Sequence, residues 1–238
     1  MVVATFGLFD QNISIGSVIH DWFIICASWQ WEGQDHINSV KLTDFPKRFK
    51  KDFRDDEDVV KAIHNMLMQA DIIVAQNGDN FDIKKLCARA IYHKLPPLPY
   101  IPSVDTLKEA RRTFKFTSNK LDYIGQFLTG EAKMDTPTGL WMKAMSGDRE
   151  AIGIMSEYCD QDIVLLTKVY EALKPHMKNH PNMNVFSGGD YQCPTCQSPN
   201  IVRQGLKVTR AGKKQKWQCQ ACGAWSVGAT IGKPVVIK

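Results

Sequence analysis

Cys193-Pro-Thr-Cys196 and, after a gap of 22 residues, Cys219-Gln-Ala-Cys222 constrain this chain more than any other feature. Each C-x-x-C makes a knuckle that turns two thiolates toward one point, and four thiolates form the closed tetrahedral site of one structural Zn²⁺. A redox-active C-x-x-C is the alternative; it accounts for one such pair but poorly for two flanking a short segment. The gap leaves room for a β-ribbon between the knuckles. A segment of about 45 residues builds little core, so metal binding has to supply the folding energy. The other three cysteines, Cys26, Cys87 and Cys159, each stand alone in an apolar pattern and read as reduced core thiols.

Charge divides in the same way. From Phe186 onward there are eight Lys/Arg against one acid, Asp190, a formal +7, whereas the rest of the chain totals −2. Such a basic tail points to a polyanion partner. Between the knuckles lies KVTRAGKKQKW, in which Lys207, Arg210, Lys213, Lys214 and Lys216 are placed to neutralise phosphates and Trp217 to stack on a base. A solvated charged surface is the alternative for the lysines. Packing in the small core is the alternative for Trp217 or for Trp225 beyond the second knuckle.

The longer body has the apolar content of a domain that buries a core. No apolar run approaches the ~20 residues of a membrane helix and no signal peptide opens the chain, so the expected location is cytoplasmic. Residues 18–31 read as a buried strand and 37–42 as its hairpin partner. Asp55 and Asp56 are candidate caps for a helix carrying Val59, Val60, Ile63, Met66 and Leu67 on one face. ADIIVAQN (70–77) reads as a buried strand, followed by an amphipathic helix with Ile83, Leu86, Cys87, Ala90 and Ile91 inward. LPPLPYIP (95–102) is a surface connection. Helical patterns resume at VDTLKEARR, at SNKLDYIGQFL and after Thr138. The last helix of the body runs from about Asp148 to Leu173, with Ile152, Met155, Cys159, Ile163, Leu166 and Val169 as its stripe. The expected organisation is a mixed α/β domain over 1–174, a linker over 175–190 and a small zinc module over 191–238.

Two acidic segments carry possible chemistry. In Asn77-Gly-Asp-Asn-Phe81-Asp82 a strand ends and a helix begins, where a carboxylate either binds a hard cation or caps the helix. In Tyr158-Cys-Asp-Gln-Asp162, positions i and i+4 share a helix face, so Tyr158 and Asp162 point the same way and Asp160 elsewhere. A carboxylate beside a phenol suits metal-assisted attack by water; a marginal Tyr and a solvated Asp are the plainer alternative.

Taken together, N-x-x-x-F-D at a strand end and Y-x-x-x-D on a helix about eighty residues on resemble the second and third motifs of DEDDy 3′–5′ exonucleases. That family has the ribonuclease H-like fold, a mixed sheet flanked by helices, and includes the proofreading domain of family-B DNA polymerases. The chain is most similar to its stand-alone phage and bacterial members. GLFDQNI (7–13), SNKLDYI (118–124), TPTGLW (136–141) and NHPNMN (179–184) also resemble that group, over residues 1–185. The tail resembles the zinc ribbons of DNA-handling proteins such as transposases. The resemblance implies that Asp82 and Asp162 are ligands of two catalytic Mg²⁺ or Mn²⁺ ions, that Tyr158 orients the attacking water, and that Asn77 supports the motif turn beside the nucleic acid. It implies DNA, single-stranded or at 3′ ends, as substrate, and a replication polymerase or other replication protein as partner, in the cytoplasm of a host if the gene is phage-borne.

The family's first motif, Asp-x-Glu on an opening strand, is absent. Asp10, Asp21, Glu32 and Asp35 are nearby acids, but none stands in such a pair. In the fold the chain resembles, that strand lies between 18–31 and 70–77. The expectation is therefore that the natural product begins upstream of Met1, and that the present chain is poorly soluble or inactive. The competing readings are a non-catalytic nucleic-acid-binding protein with a degenerate exonuclease fold, and a zinc-ribbon adaptor for replication proteins.

Overall fold

A computed structural model describes residues 2–3, 18–130, 139–188, 191–210 and 212–231. GLFDQNI (7–13), Asp10, the first three residues of TPTGLW, Asp190, Lys233 and Lys238 lie outside the described residues. The chain divides into two units. One holds Met1–Asp71, Gly78–Ile101 and Ala132–Leu165; the other holds Ile72–Asn77, Pro102–Glu131 and Leu166–Lys238.

In the first unit β1 (Val2–Val3) pairs antiparallel with β2 (Val18–His20), and β3 (Cys26–Trp29) pairs antiparallel with β4 (Asn38–Lys41). The second pair is the hairpin read from the alternating pattern, with Cys26 opposite Lys41 and Trp29 opposite Asn38. The single strand expected over 18–31 is broken after His20. Its backbone is diverted at Ile24, whose N–H donates to the Asp56 carboxylate at 2.8 Å. A 3₁₀ turn (Leu42–Asp44) and α1 (Pro46–Lys51) lead on to α2 (Glu57–Leu67). Helix α2 buries Val59, Val60, Ile63 and Leu67, the face its 3.6-residue period dictates, and packs against β3, β4 and α3 (Asp82–Tyr92).

Two expectations are corrected here. Asp56 holds the cap position of α2, but its carboxylate makes no capping bond and turns inward, fully buried, while Asp55, one residue earlier, accepts the Glu57 N–H at 3.2 Å. Helix α3 buries Leu86 and Ala90, while Cys87 is exposed and is no core thiol. The cause is polar: Arg89 and His93 both reach Asp56, and that anchoring rotates Cys87 and Ile91 outward.

Helices α6 (Leu140–Met145) and α7 (Arg149–Leu173) meet at Gly147, whose φ of 86° suits glycine. A Cβ there would stand 2.7 Å from the Phe53 ring. Leu140, Ala144, Ala151, Ile152 and Met155 form a buried cluster with Ile25, Cys26 and Phe49 against it.

In the second unit β5 (Ile73–Ala75) and β6 (Ser103–Asp105) are parallel, with Val74 opposite Val104. Strand β6 was not apparent from sequence. It is followed by α4 (Thr106–Thr113) and α5 (Leu121–Thr129). The stretch expected to be an irregular linker holds a 3₁₀ turn (Lys174–His176) and a one-turn helix, α8 (Asn184–Ser187). His180 accepts or donates at 2.7 Å to the Tyr170 hydroxyl, and the Met183 N–H donates to Pro194. Beyond it β7 (Ile201–Thr209), β8 (Gly212–Cys219) and β9 (Trp225–Ile231) form an antiparallel sheet in that order. Hairpins, a parallel strand pair and helices together make a mixed α/β fold. No helix among the described residues is long and apolar enough to cross a membrane.

Candidate active site and metal centre

Helix α7 carries the phenol and carboxylates singled out in the sequence. Its buried residues Ile152, Met155 and Ser156 face inward, which sets the direction of every residue one and two turns later. Cys159 and Asp160 meet β3: the Cys159 sulfur lies 3.6 Å from that of Cys26, and the Ser28 hydroxyl donates to Asp160 at 2.6 Å. Tyr158 and Asp162, one turn apart, are both half-buried. Asp160 points elsewhere than Tyr158 and Asp162, as its two-residue offset requires, and continues the line Ile152, Ser156, Asp160 at spacings of four. That spacing was the available signal. The Cys26 thiol is pushed far above its usual range by its hydrogen bond to Cys159 and then by burial, so it stays protonated.

Asp82 is the first residue of α3 and is exposed, an acid where the helix dipole favours one. The segment therefore uses it at the first helical position rather than as the cap, which is Phe81. In the second unit, Asn77 adopts a left-handed conformation at φ 63°. Its N–H donates to Asp105 Oδ1 at 3.0 Å, and the same oxygen accepts from Leu107 and Lys108 at the start of α4. The other Asp105 oxygen is buried without a hydrogen-bond partner. Sequence reading missed Asp105, whose importance depends on β6 lying beside β5.

It also gave no role beyond a cap to Asp56, the most buried acid among the described residues. Asp56 accepts from Arg89 Nε at 2.8 Å, again from Arg89 Nη2, from His93 Nε2 at 2.7 Å and from the Ile24 N–H. Beside it opens a cleft of about 540 Å³ whose lining includes His20, Trp22, Arg54, Tyr92 and His93. Asp55, Glu57 and His93 are close enough there to share an ion. However, Arg48 already binds Asp55 at 2.6 Å and Glu57 at 2.8 Å, so carboxylate oxygens of that cluster are engaged by a guanidinium. Lys61 and, more weakly, Arg48 hold the Glu57 carboxyl below its ordinary range.

Among the described residues, the other group with metal-ligating atoms in reach of one another is Cys193, Cys196, Cys219 and Cys222. Sulfurs about 2.3 Å from a tetrahedral zinc stand about 3.8 Å apart. The Cys193–Cys222 and Cys196–Cys219 sulfurs are 3.8 and 3.6 Å apart, so the set fits zinc. The two knuckles repeat one another. Gln197 and Gly223, each following the second cysteine, take left-handed conformations and donate back to Cys193 and Cys219. Burial pushes the Cys219 thiol up, but the N–H groups of Cys222 and Ala221 and the neighbouring sulfurs more than reverse this and bring it to about 7. Cys196 and Cys222 are raised, burial first. Neither metal-capable group contains Asp82 or Asp162.

The basic residues lie on the three-stranded sheet. Lys207, Arg210 and Lys213 are exposed, and Lys214 and Lys216 are half-exposed. Trp217 is half-buried, with Arg203 5.3 Å over its ring and Gly228 so close that a Cβ there would come within 3.2 Å of the indole nitrogen. Of the two tryptophans on this sheet, Trp225 is the exposed one, at 57%.

The sequence profile of the RNase_H superfamily matches residues 25–174. None of the curated proteins matches the chain significantly.

Proposed function

The chain belongs to the RNase_H superfamily, and on that premise we propose that it is a metal-dependent 3′–5′ exonuclease of the DEDDy type, with DNA as substrate and a C-terminal zinc ribbon as its anchor. The catalytic domain spans 1–174 and the ribbon 191–238. Superfamily membership supports nuclease chemistry on nucleic acid. The observation that carries the finer reading is α7, where Tyr158 and Asp162 stand half-buried one turn apart.

Asp82 and Asp162 are oxygen donors of the kind that suits Mg²⁺ or Mn²⁺. When bound, such ions supply an activated water and neutralise charge on the leaving oxygen. The Tyr158 phenol orients the water by hydrogen bonding, and Asn77 shapes the turn that leads to Asp82. Two carboxylates are half of the family's set, and the Asp-x-Glu triplets of the sequence, Asp55-Asp56-Glu57 and Asp148-Arg149-Glu150, stand at the starts of α2 and α7 rather than on an opening strand. That Asp82 and Asp162 belong to neither metal-capable group among the described residues favours the second reading, a nucleic-acid-binding protein without catalysis.

The test compares the chain as it stands with one extended at its N-terminus by a strand bearing Asp-x-Glu, on a 3′-labelled single strand with Mg²⁺. Shortening by the extended chain, abolished by Asp162→Asn with the fold intact, is the expected result. Undiminished activity in Asp162→Asn removes that residue from the mechanism. No activity in any form leaves the binding protein.

A further inference from the structure

From Tyr191 to Lys238 the sequence holds eight Lys/Arg and no Asp or Glu, so the sheet has no counter-charge of its own. Residues paired across antiparallel strands share a face, and alternate residues along a strand return to it. Lys207 is opposite Lys214, Lys214 is opposite Thr230, Lys216 is opposite Val227, and Gln218 is opposite Trp225. One face therefore carries Lys207, Lys214, Lys216 and Trp225 together, with the Lys216 ammonium 5.5 Å from the Trp225 ring. Strand rise puts Lys214 and Lys216 about 7 Å apart. The other face carries Arg203, Lys213 and the packed Trp217 beside Leu206, Val208 and Ile231.

Like charges directly opposite one another destabilise a sheet. The Lys207–Lys214 pair is such a cost, and a polyanion lying across it relieves it. An exposed indole at the end of the lysine row adds a surface that suits an unpaired base and that a duplex, with its bases stacked internally, does not use. We propose that the face bearing Lys207, Lys214, Lys216 and Trp225 is a docking surface for single-stranded nucleic acid, with phosphates along the lysines and a base stacked on Trp225. Arg203, Lys213 and Trp217 take no part. This deepens the anchoring role proposed above and rests on that reading.

The experiment uses the full chain loaded with zinc and a fluorescent mixed-sequence single-stranded oligonucleotide, with affinity measured across a salt series. Zinc content and circular dichroism establish that each variant is folded. Replacing Lys207, Lys214 and Lys216 by Gln flattens the slope of log affinity against log salt by about two units. The Arg203→Gln, Lys213→Gln double variant leaves the slope within half a unit. Trp225→Leu weakens binding about tenfold or more at every salt concentration without changing the slope. Equal flattening by both sets of charge variants overturns the face assignment and leaves the anchoring role standing. No change from either set overturns both. An unaffected Trp225→Leu, or equal displacement by polyglutamate at matched charge, overturns the nucleic-acid assignment of this face.

Discussion

The four-cysteine sheet and the α3–α7 region hold their polar chemistry in opposite ways. In the sheet, each four-residue knuckle holds two ligands, so local chain geometry builds each half of the site and strand pairing has only to bring the halves together. In the first unit, Asp82, Tyr158, Asp160 and Asp162 lie on two long helices, and the orientation of each helix comes from apolar packing and from the buried Asp56. A site of the first kind would depend on the one ion its four cysteines fit. A site of the second kind depends on the whole of its surroundings, and a change far along the chain can disturb it.

Removing zinc tests the first half of that contrast and has the largest effect. Structural zinc contributes apparent binding free energies of about 10–16 kcal/mol, so a chelator should unfold β7–β9 while helical signal from the rest persists. Circular dichroism with tryptic cleavage at Lys207 to Lys216 follows it; a sheet that resists trypsin without metal breaks the comparison. Asp56→Ala tests the second half. It strands Arg89 in the interior and should cost about 3–5 kcal/mol in urea unfolding. A loss below about 1 kcal/mol means that the network does not orient α3.

The smallest effect sharpens the contrast at the surface. Because Lys61 and Arg48 depress Glu57 in the folded chain, its contribution is present above the ordinary carboxyl value of 4.5 and disappears as pH falls through its lower folded value. The groups are partly solvated, so Glu57→Gln should remove only a few tenths of a kcal/mol, seen near neutral pH and absent in acid. An equal loss at both ends of the range places the effect in packing.

What could be read from the sequence follows the same division. The cysteine spacing is local and specifies its tetrahedron directly. Helix α7 was legible because 25 residues repeat one stripe, and the β3–β4 hairpin because its alternation is regular. Strand β6 has one apolar residue in three and is a strand only because β5 lies beside it. Asp56 looks like any helix cap, since the partners that bury it come 33 and 37 residues later. The two faces of the sheet were illegible for a further reason: irregular register between Arg203 and Leu206 breaks the simple alternation from which a face would be read.

Asp105 carries a consequence for how the second unit opens. One of its oxygens holds the N–H groups of Asn77, Leu107 and Lys108, so a single carboxylate ties the end of β5 to the first turn of α4. Fraying of that turn releases the acceptor that fixes the left-handed Asn77, and unwinding at Asn77 leaves the capping carboxylate one donor short. The two segments, almost thirty residues apart in the chain, are thus one cooperative element. Their amides should exchange with solvent at a common rate rather than as a strand end and a helix end each fraying by itself.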